Sequence, residues 1–516
     1  IIKEIVTTAN SKILIALGPV PGSDIWQKTL DIKDKIPSLE AVICLFGDDI
    51  AAKNNGEVPV YSFEKLLAKQ SAIELQCPLP QQSDVCSYFH TGGTTGLPKL
   101  AKHSHLNELT NAAQVNLMLP LSQDDTILIG LPIFHVNAAI TGLASIMLGS
   151  TVLLTGPSGF RGKNVVRHLL TLLENYQVAF MIAVPTVYAG LLEQIANNQV
   201  DLIRPSKIKF AICGAAPLSP ELQKKFMEQT GIALIEGYGS TEGTAVSTLM
   251  PLHPIAKQTS VGLTIPGMTV AIGDIDSDGH LTRLCEVDEA GEILIAGNNV
   301  FPGYVDDSHN QSIWVTSPDG QQLMRTGDLG KRDEYGYLSL CGREKELIIR
   351  GGHNIDPKMI EDAATGHPDV FLAAAVPRPD SYAGEIPVLY VTTKADTTVT
   401  PEQLLIFMTE HVPERAAIPK RIDIIDEMPL TAVGKLYKPE LMCREITQVI
   451  ELSINDMPQS VNVVTMPDKK RGNAATITVS GSSQEQTAIE QAITERLAMY
   501  SFNYQIAYQV NEQQEA

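Results

Sequence analysis

In the first half of the chain, short apolar runs alternate with longer amphipathic stretches. Ile13–Leu17, Ala41–Phe46, Thr151–Leu154, Ala179–Val184 and Lys209–Cys213 are runs of strand length bounded by turn residues. Asn164–Tyr176 and Val187–Asn197 read as helices, and in the first Val165, Leu169, Leu172 and Leu173 recur at helical spacing. This alternation predicts an α/β fold with a mostly parallel sheet covered by helices. From about Val261 to Leu340 the texture changes. Val270–Ile272, Glu292–Ala296 and Tyr337–Leu340 are β-like runs separated by Gly, Asp and Asn turns, which predicts a small β-barrel or sheet over about 261–341. A polar segment, Arg343–Ile355, follows, and a domain boundary is placed near Lys345. Beyond it Pro357–Thr365 and Pro401–His411 read as helices, and Phe371–Val376 and Val388–Thr392 as strands.

After about Ile446 comes an extension. Val461–Met466, Ala475–Gly481 and Tyr504–Val510 read as strands, and Gln484–Tyr500 as a helix with Ile489, Ile493 and Leu497 in one stripe. That stripe points to packing rather than chemistry. The expected organisation is therefore a large domain over 1–344, a smaller α+β domain over 345–445 and an appended α+β module over 446–516.

One apolar run, Ile127–Gly149, is long enough for a membrane span. Pro132, His135 and Asn137 interrupt it, so a buried strand, a loop and a buried helix are expected instead. The formal net charge of −20 argues against a nucleic-acid surface. It leaves room for a local basic groove and for peripheral contact with a membrane. The seven cysteines are odd in number and have no C-x-x-C spacing, so neither a disulfide framework nor a zinc site is indicated and a reducing cytoplasm is expected.

Five segments carry candidate chemistry. Phe89–Lys102 (FHTGGTTGLPKLAK) packs Gly92, Gly93 and Gly96 among Thr91, Thr94 and Thr95, with Lys99 close behind. Glycines let backbone N–H groups approach a ligand, and hydroxyls and a lysine add donors for phosphate oxygens. Taken alone, the run is equally a surface turn. It is not a Walker A loop, which requires Gly-Lys-Ser/Thr opening a helix. Glu236–Thr244 (EGYGSTEGT) offers an aromatic ring, Tyr238, flanked by Gly237 and Gly239, a hydroxyl on Thr241, and a carboxylate on Glu242 suited to a hard cation such as Mg²⁺. Arg325–Gly330 supplies Asp328, whose carboxylate can accept bonds from two ribose hydroxyls. Gly342–Asn354 supplies Arg343 and the pair Gly351-Gly352, and Pro429–Lys435 places Lys435 behind a glycine as a mobile point charge. Singly, each has an ordinary structural reading as a turn, linker or surface residue.

Together, in this order, the segments resemble the adenylate-forming superfamily, within it the AMP-forming acyl-CoA synthetases. The likeness runs from Thr91 to Lys435, about two thirds of the chain, and includes FHTGGTTG, LPIFHVNA, CGAAPL, GYGSTE and RGGHNIDP. The resemblance implies a large domain hinged at Lys345 to a small mobile domain. It implies that Thr91–Lys99 holds the ATP phosphates, and that Gly214, Ala215 and Ala216 lie on one adenine face with Tyr238 on the other. Glu242 is implied as the Mg²⁺ ligand, Asp328 and Arg343 as ribose ligands, Lys435 as the cation that holds the carboxylate and α-phosphate, and Thr241 as a further catalytic residue. His135 is implied as a gating or orienting group, and Gly351, Gly352 and His353 as lining the path of the CoA thiol.

The implied reaction makes acyl-AMP and then acyl-CoA, with ATP, CoA and a carboxylic acid as substrates. Small apolar residues at Val136–Ile140, Val184–Val187 and Val246 suggest a medium- or long-chain fatty acid. An aromatic acid, or transfer to a carrier protein's phosphopantetheine arm, are the alternatives, and a non-catalytic nucleotide-binding scaffold is the rival of another class. Two departures stand out: Gly92 replaces a serine found in many relatives, and the segment before the phosphate loop is short, so the first part of the large domain is expected to be missing. The sequence sets no oligomeric state.

Overall fold

A computed structural model describes residues 2–47, 56–71, 77–91, 99–197, 203–252, 260–343, 346–395, 397–431, 434–457, 460–468, 472–480, 486–500 and 502–509. The chain divides into two compact units.

The first unit comprises residues 1–93, 97–106 and 301–311. It contains α1 (Ile2–Thr8), β1 (Ile13–Leu17), α2 (Ile25–Lys33), β2 (Ala41–Leu45), β3 (Val60–Ser62), α3 (Phe63–Leu67), β4 (Val85–Thr91) and β5 (Lys99–Ser104). β1, β2 and β3 form a parallel sheet in that order, with Val42 and Cys44 fully buried beneath Trp26 of α2. β4 and β5 pair antiparallel, bringing Thr91 opposite Lys99. The segment 301–311 lies along β5, where the Val305 N–H donates to the Leu100 carbonyl at 2.8 Å.

The second unit contains α4 (His105–Met118) from Asn107 onward, β6 (Thr126–Ile129), α5 (Val136–Leu148), β7 (Thr151–Leu154), α6 (Leu169–Asn175), β8 (Val178–Ala183), α7 (Pro185–Ala196), β9 (Phe210–Cys213), α8 (Pro220–Thr230), β10 (Leu234–Tyr238), β11 (Thr248–Leu249) and β12 (Leu263–Thr264). Its seven-stranded sheet has the order β12-β11-β10-β9-β8-β6-β7, parallel from β7 to β10 and antiparallel beyond. Every residue of β8 is buried, as expected of a central strand covered on both faces. The long apolar run resolves into β6, a loop and α5, and α5 ends on Gly149 in the left-handed conformation (φ 77°). Among the described residues no helix is long and apolar enough to cross a membrane. The helix expected from Asn164 starts later, at Leu169. Asn164 has φ 65°, outside the right-handed helical region, and residues 165–168 form turns instead.

The β-rich stretch contains β13 (Met268–Ile275), β14 (Leu281–Leu284), β15 (Gly291–Gly297), β16 (Trp314–Thr316), β17 (Gln322–Arg332) and β18 (Leu338–Arg343). Its antiparallel pairing path is β14-β13-β15-β17-β16, with β18 on β17. Among the described residues this is an open six-stranded sheet, since its end strands do not pair with each other.

β19 (Ile348–Arg350), β20 (His353–Ile355), α9 (Pro357–Thr365), β21 (Val370–Asp380), β22 (Gly384–Thr393), α10 (Pro401–His411), β23 (Arg421–Ile424) and α11 (Lys438–Ile454) follow. The five strands form one sheet, covered by α9 and α10. α10 opens with a reciprocal capping box between Thr400 and Gln403. β24 (Ser460–Asp468), β25 (Gly472–Ser480), α12 (Gln486–Leu497) and β26 (Asn503–Gln509) complete the chain. The boundary expected near 446 falls inside α11. Leu441 packs against β21 and β22, while Ile446, Ile450 and Ile454 pack with Ile477, Val479, Ile489 and Ile493 of the extension.

Candidate active site

The site is assembled from the C-terminal ends of parallel strands, from the β17–β18 pair and from the turn before α11. β9 ends at Cys213, where Gly214 follows, buried against Asn137 and the Gly237 carbonyl. Ala215 takes φ 68° and, with Ala216, is half-buried. β10 delivers Gly237 and Tyr238, and the chain then turns sharply. A Cβ on Gly239 would lie 1.8 Å from the Ala245 carbonyl oxygen, so this turn requires glycine. The turn is closed by the Gly243 N–H donating to Ser240 Oγ (3.1 Å) and the Thr244 N–H donating to the Thr241 carbonyl (3.0 Å).

β17 and β18 place Asp328 directly opposite Arg343. Arg343 Nε donates to Asp328 Oδ1 at 2.6 Å, and the Tyr238 hydroxyl donates to Oδ2 at 2.8 Å. Burial, then the Asp328 charge, pushes the Tyr238 phenol well above its usual range. Burial by itself would lower the Arg343 guanidinium, but the Asp328 and Glu346 carboxylates outweigh it and the net shift is upward. Both carboxylate oxygens of Asp328 keep lone pairs for further donors.

Lys435 completes the group. Its ammonium is pushed down to about 8, first by burial and then by the Arg343 charge, against the opposing pull of Asp328 and Glu242. Lys435 is therefore close enough to all three to feel their charges. Thr431 closes the lysine turn: its N–H donates to the Lys435 carbonyl (2.7 Å) and its hydroxyl accepts from the Lys435 N–H (3.1 Å).

Tyr238 and Glu242, Asp328 and Arg343, and Lys435, from three stretches of the chain, thus converge. Thr241 stands beside Glu242, both half-buried. His135 is the residue before α5, extended and half-buried. Gly351 (φ 59°) and Gly352 (φ 82°) form the two-residue turn of the β19–β20 hairpin, where positive φ at both positions matches the strand twist. Their neighbour His353 pairs with Glu414, and the Gly351 N–H donates to the Ala383 carbonyl at 2.7 Å. In the other unit, Thr91 and Lys99 pair across the hairpin, and Lys99 Nζ sits 5.0 Å from the centre of the Tyr304 ring. Gly92, Gly93, Thr94, Thr95, Gly96 and Lys345 lie outside the described residues. Val136, Ile140, Val184 and Val187 are buried in the interior, and Val246 is partly buried against it.

Two groups at this site, Glu236 and Lys358, had no assignment from sequence, and the hydroxyl of a third, Thr186, was passed over inside the apolar run Val184–Val187. Glu236, within the EGYGSTEGT segment, is raised to about 7, chiefly by burial; the Leu218 N–H donates to it (3.0 Å) and the Lys358 charge opposes the shift. Lys358 itself bonds Asp362 at 2.6 Å. Thr186 donates to the Gly434 carbonyl at 3.1 Å. Burial of a glutamate at the end of a parallel strand was the one available signal. The other two depend on contacts between distant segments.

This fold is that of adenylate-forming enzymes. The chain matches the AMP-binding enzyme model over residues 2–305 and the AMP-binding enzyme C-terminal domain over residues 359–435. It is 34% identical to a marinolic acid–CoA ligase of Pseudoalteromonas sp. over 98% of this chain and 76% of that protein. It is 29% identical to a long-chain-fatty-acid–CoA ligase of Escherichia coli over 74% of this chain and 67% of that protein. Among solved structures, the o-succinylbenzoate–CoA synthetase of Bacillus subtilis in complex with ATP and magnesium ion superposes with a TM-score of 0.64, at 25% identity over 80% of this chain and 81% of that one. The chain belongs to the AMP-binding enzyme family, in the group of acid–CoA ligases.

Proposed function

We propose that the chain activates a medium- or long-chain fatty acid with ATP and transfers the acyl group to CoA. The observation that carries the adenylate-forming part of this reading is the geometry at Asp328, bonded by Arg343 and Tyr238 from three separate segments, with the buried Lys435 near enough to feel the Arg343, Asp328 and Glu242 charges. In the first step a substrate carboxylate oxygen attacks the α-phosphorus of ATP and pyrophosphate leaves. Lys435 stabilises the charge that grows between carboxylate and phosphate. Asp328, held by Arg343 and Tyr238, accepts from the ribose hydroxyls. The Gly214–Ala216 segment and Tyr238 flank the adenine, and the Thr91–Lys99 loop takes the outer phosphates. The Glu242 carboxylate, whose charge reaches Lys435, and the neighbouring Thr241 hydroxyl are oxygen donors that fit Mg²⁺. Bound there, the ion would supply charge neutralisation to the phosphates.

In the second step the CoA thiol, entering along Gly351, Gly352 and His353, attacks the acyl-AMP carbonyl and AMP departs as the thioester forms. His135 orients the carboxylate end. The 345–445 domain swings about Lys345 between the steps and carries Lys435 away, and the 446–516 module travels with it. The aliphatic choice is supported by the small aliphatic side chains of Val136, Ile140, Val184 and Val187 and by the long-chain relative, and we infer a cytoplasmic setting from the cysteine pattern.

The test is a screen of fatty, cinnamic and dicarboxylic acids for pyrophosphate release with and without CoA. Fatty acids should give the highest kcat/KM, and AMP should accompany CoA thioester. Preference for an aromatic acid would change the substrate, and no release with any acid would reject the enzyme. Lys435→Ala should cut adenylation to a small but measurable residual rate yet spare thioester formation from supplied acyl-AMP.

A further inference from the structure

Lys435 sits on a turn that has its own anchor. The Thr186 hydroxyl donates to the carbonyl of Gly434, the residue immediately before the lysine and 248 positions away in sequence. The anchor side is rigid. Thr186 is the second residue of α7, after Pro185, and α7 is seated in the core by Val187, Tyr188 and Leu191, with the Tyr188 hydroxyl bonded to the Ile212 carbonyl at 2.6 Å. The turn side is closely fitted: Gly434 has φ 81°, and a Cβ there would meet Thr186 Oγ1 at 3.2 Å and Val184 Cγ2 at 3.3 Å. Within the turn the Gly434 N–H donates to the Thr431 carbonyl at 2.9 Å. The Thr186 bond thus joins the large domain to the element bearing Lys435, one residue from it.

We propose that Thr186 is a positioning residue for adenylation: its hydroxyl holds the Gly434 carbonyl and so fixes Lys435 in the arrangement that activates the acid. This rests on reading the chain as an acyl-adenylate-forming ligase. Lys358 of α9, which bonds Asp362 and whose charge acts on Glu236, is a second link across the same seam but lies far along the chain from the lysine. Thr186 touches no reacting atom. Its effect is on the first step alone, because the bond exists only while the lysine turn is docked.

The test uses the full chain with Thr186→Val, Thr186→Ser and Gly434→Ala. Thr186→Val should slow acid-dependent pyrophosphate exchange about fivefold or more, the worth of one hydrogen bond, and leave thioester formation from supplied acyl-AMP unchanged. Thr186→Ser should restore the rate, and Gly434→Ala should reproduce the selective loss. In a Lys435→Ala background Thr186→Val should add nothing to the adenylation defect. Equal loss in both half-reactions, or full additivity with Lys435→Ala, would overturn the proposal. Amide hydrogen exchange supplies a readout without turnover. Thr186→Val and Gly434→Ala should each speed exchange over residues 429–437 in the substrate-free chain, and unchanged exchange would reject the latch. If wild type activates no acid yet the exchange effect is present, the ligase reading fails while the latch stands.

Discussion

The lowered ammonium of Lys435 makes the first step pH-sensitive in a definite direction. Burial and Arg343 bring the group down to about 8 from an ordinary value of 10.5. The charged form, to which the proposed mechanism assigns stabilisation of the developing phosphate charge, therefore dominates below that value and is lost above it. The protonated fraction falls from about nine-tenths at pH 7 to about one-tenth at pH 9, roughly a tenfold loss. An unshifted lysine would lose only about 3% over the same interval. The quantity to follow is kcat/KM for pyrophosphate exchange, because it reports the free enzyme, before ATP phosphates add their own charge. A descending limb near pH 8 is expected there, displaced upward in kcat and absent when thioester formation is measured from supplied acyl-AMP. Arg343→Gln removes the second cause of the shift and should move the limb to higher pH, besides raising KM for ATP. A kcat/KM flat to pH 9.5, or the same limb in Lys435→Ala, would refute the assignment of this proton to Lys435.

Asp328→Asn removes the charge shared by Arg343 and leaves the Tyr238 hydroxyl a weaker acceptor; KM for ATP should rise about tenfold or more with less change in kcat, read from initial rates. Gly239→Ala forces a Cβ to within 1.8 Å of the Ala245 carbonyl oxygen, and urea denaturation should show a loss of at least about 1–3 kcal/mol with ATP affinity lost in parallel. Glu236, raised to about 7, gives stability that is fully present below its unfolded value near 4.5 and lost as pH rises through 7. Glu236→Gln, which keeps the acceptor for the Leu218 N–H, should therefore raise the melting temperature at pH 8 and leave it unchanged near pH 4.5. Ile477→Ala, a fully buried position of the extension, should cost about 2–4 kcal/mol and leave adenylation at low temperature unaltered.

Element identity was legible wherever apolar spacing was unambiguous. Pro357–Thr365 and Pro401–His411 are helices over the residues expected, because each has Pro at its first position and a Thr or Asp cap ahead of it. The stripe Ile489, Ile493 and Leu497 is buried for the reason its spacing implied. The start of α6 was not legible, since the apolar spacing continues through Val165 while Asn164 turns the backbone away from a helix. At the candidate site, Tyr238, Glu242, Asp328, Arg343 and Lys435 could be singled out because distinctive short motifs surround them. Thr186 was hidden because its partner is a backbone carbonyl, which leaves no mark in sequence. The tail boundary was misjudged for a related reason: α11 has one continuous apolar stripe that serves two cores, and a stripe does not say how many it serves.

That shared helix has a mechanical consequence. Leu441 is keyed into one core, Ile446, Ile450 and Ile454 into the next, and between them Glu445 bonds Arg378, Arg421 and Tyr390 with no exposure to solvent. α11 is a stiff axle fixed at both ends, with no joint between its two loads. Under the proposed swing, the rotation that carries Lys435 would sweep the terminal module through an arc of its own, so a cargo or tether fastened to that module would be dragged along with it, and a clamp on it would stall the lysine.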